Sequence, residues 1–263
     1  MPALPPGPAR GKAWFAQSLR RIRLTVAYDG TAFHGWQVQP GQVTIQGELE
    51  AVLSRLEGAP VKVHGSGRTD AGVHALGQVA AYTSNNPLPL DNLRRAANHL
   101  LPESIRVLDA AEAALDFQPR FDATAKTYEY RIWRTEICPP FDRPYVHHYP
   151  YPLNEAALIA AAPLLEGEHD FSAFAASDAR DDRGDSKVRT IFSSRCQREG
   201  DLLIYRVRGT GFLKHMVRNI VGTLREVGKG NLSAGDLRRL LTPAGHCAAT
   251  APASGLFLVS VEY

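Results

Sequence analysis

Hydrophobic residues alternate with smaller or polar ones from residue 21 onward. Ile22, Leu24, Val26 and Tyr28 fall at every second position, and Asp29-Gly30 ends the run. A period of two marks a strand with one covered face. After Thr44 the period changes: Ile45, Leu49, Val52, Leu53 and Leu56 recur at helical spacing, and Gly58 and Pro60 close the segment. The same reasoning predicts short strands over 61–64 and 77–83, a helix over 91–100 stopped by Pro102, and a strand over 104–110. Further along it predicts strands over 125–134 and 145–149, a helix over 154–165 and strands over 188–197 and 202–208. A long helix over 212–227, a short one over 234–241 and a last strand over 256–262 complete the chain.

The order β-α-β-β-α-β thus occurs once and then nearly recurs, with one extra helix. Two similar split β-α-β (ferredoxin-like) halves side by side give an α+β fold with mainly antiparallel sheets, helices on one side, and a ligand cleft between the halves. The expected boundaries are a flexible basic tail over 1–20, an N-terminal α+β domain over 21–113 and a C-terminal one over 114–263. The stretch from Ser177 to Ser186 has no core-forming residue and reads as a surface loop near the cleft.

Composition narrows the class. With 263 residues, 44% hydrophobic and 22% charged, the chain has room for real cores, which argues against wholesale disorder and collagen-like repeats. No twenty-residue apolar run occurs, so no membrane span is expected, and residues 1–20, with four prolines, two glycines and no acid, lack the apolar stretch of a secretory signal. Cys138, Cys196 and Cys247 are far apart and form no C-x-x-C pair, which points to a reducing compartment and to neither a disulfide framework nor a zinc site. The 30 basic and 27 acidic residues leave a net charge of +3, which permits a nucleic-acid partner without requiring one. Only Lys12, Lys62, Lys126, Lys187, Lys214 and Lys229 are lysines; the arginine excess suits phosphate, but G/C-rich codon usage would produce it equally well.

The densest chemical signal runs from Gly65 to His74, where small residues surround Arg68 and Asp70. Small residues permit close backbone approach, so the segment looks built to press a charged pair against a ligand; the plain alternative is a turn in which Asp70 caps backbone amides. For Asp70 to act as a nucleophile it must stay ionised while partly desolvated, and that requires a nearby cation. Arg68, two residues away in an extended chain, points to the opposite face. Arg218 is the better partner, because it sits among Leu213, Val217, Ile220, Val221 and Leu224, where a charge is rarely found unpaired. Tyr128, Tyr130 and Ile132 share one face of a strand, where an aromatic ring either stacks on a base or packs in the core. The glycine-flanked start of the 212–227 helix, with Lys214 and Arg218 following, offers free amides to a phosphate. His147-His148 and His246-Cys247 are adjacent pairs without further metal-ligand spacing.

Taken together these segments resemble the tRNA pseudouridine synthase A family, whose members act on the anticodon arm. The matching stretches are Tyr28 to Gln37, Gly67 to His74, Lys126 to Tyr130, Glu168 to Phe171, Gly211 to Gly222 and Gly255 to Val259, in the family's order and spanning about residues 21–263. The resemblance implies that Asp70 is the nucleophile, Tyr128 the aromatic residue on the target uridine, and Arg218 the arginine paired with the aspartate. It further implies that Arg68 holds the flipped-out nucleotide or fills its place, and that Leu256 forms part of the apolar pocket wall. The implied activity is conversion of uridine to pseudouridine in the anticodon stem-loop, at positions 38, 39 and 40 of the tRNA. The family works in the cytoplasm without metal or organic cofactor, usually as a homodimer with one tRNA across both subunits. Two other readings compete. A non-catalytic RNA-binding protein would use the same sheet, and a carboxylate glycosidase would need a second acid, for which Glu168 and Asp170 are the nearest offers.

Overall fold

The computed structural model describes residues 19–176, 186–242 and 249–263. All but the last two residues of the expected tail, all but Ser186 of the loop 177–186, and the His246-Cys247 pair lie outside the described residues. The first half comprises β1 (Arg20–Tyr28), α1 (Ile45–Glu57), β2 (His64–Gly65), β3 (His74–Ser84), α2 (Leu90–Leu100) and β4 (Ile105–Ala113). The second contains β5 (Ala125–Trp133), β6 (His147–His148), α3 (Glu155–Ala161), β7 (Gly167–Asp170), β8 (Val188–Glu199), β9 (Leu202–Gly209), α4 (Met216–Gly228), α5 (Ala234–Arg239) and β10 (Leu256–Glu262).

Local signals act as their chemistry requires. Ile22, Leu24, Val26 and Tyr28 are all buried on one face of β1. Thr44 caps α1 by accepting a hydrogen bond from the Gly47 amide, and Gly58 ends that helix in the left-handed conformation, φ 69°. Ten strands form one sheet in the order β4-β1-β3-β10-β5-β9-β8-β7, with β2 also on β3 and β6 also on β5. Every pairing is antiparallel except β10 with β3 and β6 with β5. The fold is therefore α+β with a large, mainly antiparallel sheet. The two halves do not keep separate sheets. β2 covers only Ala80 and Ala81 of β3, which leaves the start of β3 with open backbone groups, and β10 takes that edge by setting Phe257 opposite His74 and Leu258 opposite Ala75.

Several predicted elements change length for identifiable reasons. The strand expected over 61–64 shrinks because α1 side chains take the backbone groups a ladder would use. Val61 N–H donates to Ser54 Oγ at 2.8 Å, Val63 N–H donates to Glu50 Oε1 at 3.0 Å, and Val63 C=O accepts from Gln46 Nε2 at 3.0 Å. Around Pro144 the expected strand 145–149 is a 3₁₀ turn (Arg143–Tyr145) followed by only two strand residues. The helix 154–165 tightens to 3₁₀ at Ala162–Leu165, where Pro163 has no amide to donate. The 234–241 helix ends at Arg239. The long helix starts at Met216, not at residue 212, because His215 adopts φ 61°. The β7 strand, with Glu168, His169 and Asp170, lacks the apolar alternation that would have announced it.

Candidate active site

The loop carrying Asp70 joins β2 to β3 and rests on the turn that follows β1. Trp36 N–H donates to Thr69 C=O at 3.0 Å, the Tyr28 and Thr69 hydroxyls pair at 2.8 Å, and Gly30 N–H donates to His74 Nδ1 at 3.1 Å. Burial pushes His74 below the ordinary histidine range, which suits a neutral ring nitrogen accepting that bond. Glycines on both sides make this approach possible. A methyl group on Gly30 would run into the Val73 carbonyl, and one on Gly35, itself at φ 85°, would lie 2.6 Å from the Thr69 carbonyl oxygen. Within the loop segment, Gly65 lies flat against the Trp36 indole, where a Cβ would sit at 2.6 Å, and Gly72 has φ 76°. Gly67 is under no such constraint, since its added Cβ would touch only Lys126 Nζ at 3.4 Å. Lys126 reaches beneath the loop from β5 and donates to Ser66 C=O; burial, aided by the Arg120 charge, lowers its ammonium pKa to about 8.

Helix α4 supplies the opposite wall. Arg218 Nη1 donates to Asp70 Oδ2 at 2.9 Å, while its Nε donates to Ala251 C=O at 2.8 Å. The guanidinium is thereby held at two points, and it is only 17% exposed against 25% for the carboxylate. His215 Nε2 lies 3.5 Å from the same Oδ2. Among the described residues no backbone amide donates to the Asp70 carboxylate, so it is not a cap of its own turn.

The other sequence-predicted residues separate into those on the cleft and those in the core. Tyr128 lines the cleft, edge-on to Phe212 with ring centroids 5.0 Å apart, and its hydroxyl makes no hydrogen bond among the described residues. Burial raises its pKa well above the ordinary tyrosine value, and the nearby Tyr28 and Asp70 act in the same direction. Tyr130 and Ile132 are core residues, the Tyr130 hydroxyl donating to Pro252 C=O at 2.8 Å. Leu256 is buried at the start of β10 and lines the cleft; Arg68 also lines it, exposed and without a partner among the described residues.

The cleft has a volume of about 770 Å³ and is walled by both halves of the sheet. Lys62, Arg68, Arg120, Lys126, Lys214 and Arg218 line it, and Asp70 is its one acid among the described residues. The nearest expected second acids, Glu168 and Asp170, sit on β7 at the sheet's far edge, where Asp170 accepts from the Ser172 amide at 2.8 Å. The two-carboxylate geometry of a glycosidase is therefore absent from the described residues. The helix start expected near residue 212 lies instead at Met216. Gly209 lies in β9, and the Thr210, Leu213 and Met216 amides donate to Thr190 C=O, Met216 Sδ and Leu213 C=O. No cluster of three metal-ligating side chains occurs among the described residues.

Phe121 and His215 are among the cleft residues that escaped the sequence reading. Phe121, 77% exposed at the rim with the Arg120 guanidinium 5.4 Å from its ring centre, is a lone aromatic between polar neighbours, and that pattern was a usable signal. His215 has none, since its place beside Asp70 depends on a backbone angle and on a contact across 145 residues of chain (215 − 70).

The sequence pattern of a family described as tRNA pseudouridine synthase matches residues 24–122 and 161–263. A protein of Solibacter usitatus (strain Ellin6076) named tRNA pseudouridine synthase A is 64% identical over 245 residues, covering 93% of this chain and all of that protein. Proteins of the same name from Halalkalibacterium halodurans and Geotalea uraniireducens are 46% and 45% identical, over 90% and 93% of this chain and 90% and 100% of their own lengths.

Proposed function

The chain belongs to the tRNA pseudouridine synthases, isomerases acting on uridine in tRNA, and from that premise we propose that Asp70 is the nucleophile, held in an ion pair by Arg218. The observation that carries the proposal is the pairing of the cleft's one described acid with a doubly anchored guanidinium in otherwise cationic surroundings. The ion pair holds a partly buried carboxylate at the cleft, with the His215 ring also close to it.

The reaction breaks the N1–C1′ bond of uridine, turns the uracil and joins C5 to C1′; the C5 proton leaves and N1 gains one, so the product is an isomer. It is a bond exchange within one nucleotide and requires no cofactor. The target base must first leave its stack, at a cost of a few kcal/mol. Tyr128 then covers the loosened uracil, and Leu256 closes the apolar wall. Arg68, unpaired at the cleft, holds the flipped nucleotide or fills the gap it leaves. Lining cations other than Arg218 and Lys126 grip tRNA phosphates, so binding weakens as salt rises. The target uridines are those of the anticodon stem-loop, positions 38, 39 and 40.

The architecture supports this as two split β-α-β, ferredoxin-like units over 21–113 and 114–263. Strand order β4-β1-β3-β2 in the first is matched by β10-β5-β9-β8 in the second once β6 and β7 are set aside, each then running last, first, third, second. The enzyme acts in the cytoplasm as a homodimer with one tRNA lying across both subunits; sedimentation with and without tRNA checks that stoichiometry. For the chemistry, tritium release from C5-labelled uridine in unmodified tRNA is measured for wild type and Asp70→Asn. Release by the wild type, and a loss of about 10⁴-fold or more in the variant with tRNA affinity retained, is expected. Comparable release by Asp70→Asn would remove the carboxylate from the mechanism.

A further inference from the structure

His215 is the single residue other than glycine with positive φ among the described residues (φ 61°, ψ −2°). A left-handed conformation is strained for a residue that bears a side chain, and glycine adopts it freely. Nothing local compensates. His215 occupies the position before α4 where a side chain usually caps the helix, yet its side chain makes no cap hydrogen bond. The conformation instead aims the imidazole into the cleft, with Nε2 3.5 Å from Asp70 Oδ2. Strained backbone of this kind persists where surrounding structure holds it, and functional sites are where it concentrates.

His215 and Arg218 are three residues apart, so the first turn of α4 brings both to the same carboxylate oxygen, Arg218 at 2.9 Å and His215 at 3.5 Å. Asp70 Oδ1 has no partner among the described residues. We propose that His215 is a positioning residue: with Arg218 it clamps Oδ2 from two directions, stops the carboxylate rotating, and leaves Oδ1 as the oxygen presented to the nucleotide. One donor alone would let the carboxylate swing about its Cβ–Cγ bond; two make the attacking atom unique. The 3.5 Å contact tightens when substrate excludes water, as catalytic hydrogen bonds commonly do between the free and the occupied enzyme. Arg68 and Lys214 also line this part of the cleft and add positive charge around the pair without touching Oδ2. The proposal rests on Asp70 being the nucleophile.

Two substitutions separate the imidazole's role from the backbone's. His215→Gly accepts φ 61° without strain but removes the donor. His215→Gln keeps an N–H at a similar reach while retaining the strain. The expected result in single-turnover tritium release is a 10- to 100-fold lower rate for His215→Gly, with tRNA affinity within about twofold and thermal stability equal to or above wild type; His215→Gln recovers most of the rate. A role confined to backbone geometry predicts the reverse order, with glycine active and glutamine impaired. That order, a fully active His215→Gly, or equal losses in both variants would overturn the proposal. Asp70→Asn is run beside them. If it turns over, the nucleophile assignment fails; if it is inactive while His215→Gly keeps the wild-type rate, the positioning role alone fails.

Discussion

The β2–β3 and β8–β9 connections each join antiparallel neighbours, one in each half of the sheet, and they differ completely. The first runs through residues 66–73, lies against Gly30, Gly35 and Trp36, and carries Asp70. The second is only Gly200 and Asp201, and a side chain added at Gly200 would meet nothing within 4 Å. Both connections join neighbouring antiparallel strands of one sheet, so strand pairing alone does not create the site. The site arises where a longer loop is held down by close-packed glycines and faced by a cation from the other half. A fold supplies positions, and chemistry is grafted onto some of them.

That contrast can be broken most forcefully at its cross-half contact. Arg218→Lys retains the charge, but a single ammonium cannot hold Ala251 C=O and Asp70 Oδ2 as the guanidinium fork does. A fall in kcat of about 10²–10³-fold is expected, read by tritium release, with little change in tRNA binding. An unchanged rate would mean the pairing is merely structural. The loop's seat comes next. Gly35→Ala combines a positive φ with a methyl 2.6 Å from the Thr69 carbonyl, and should lower stability by about 2–4 kcal/mol in urea unfolding, with activity falling as Asp70 shifts.

Lys126 gives the loop a pH signature that the β8–β9 turn lacks. Burial, with Arg120 nearby, holds its folded-state pKa at about 8 against an ordinary 10.5. Between those values the unfolded chain keeps a proton that the folded chain has released, so unfolding free energy from this group rises with pH across that window. Below about 8 both states are charged and the folded state carries the full desolvation cost. Wild type measured against Lys126→Met should therefore gain stability, by on the order of 3 kcal/mol, as pH goes from about 8 to 10.5. A flat difference would show that the ammonium is not desolvated. The smallest effect is expected at the plain turn. Gly200→Ala meets no atoms and strains only φ 57°, so it should cost about 1 kcal/mol and leave turnover unchanged.

Much of this was legible along the chain, because periodicity and capping are local. The alternation in β1 and the Thr44 and Gly58 boundaries of α1 follow from neighbouring residues and survive any packing. Asp70 stood out because small residues surround it, and Arg218 because a charge in an apolar helix needs a partner. Other features depended on distant chain. Gln46 and Glu50 took the backbone groups of Val63 and shortened a strand, and β10 closed on β3 to fuse two expected sheets into one. Two of the glycines that seat the Asp70 loop, Gly30 and Gly35, belong to the turn after β1 and not to the loop itself. His215, whose angle delays the start of α4 and turns its ring toward Asp70, could not be read from its neighbours. The sequence by itself determined which segments bury a face, where they start and stop, and which charges need partners, since these depend on residues within a few positions. Only the tertiary structure decided which oxygen of Asp70 is held, by what and from where, since such contacts form between residues some 145 to 148 positions apart that share no local pattern.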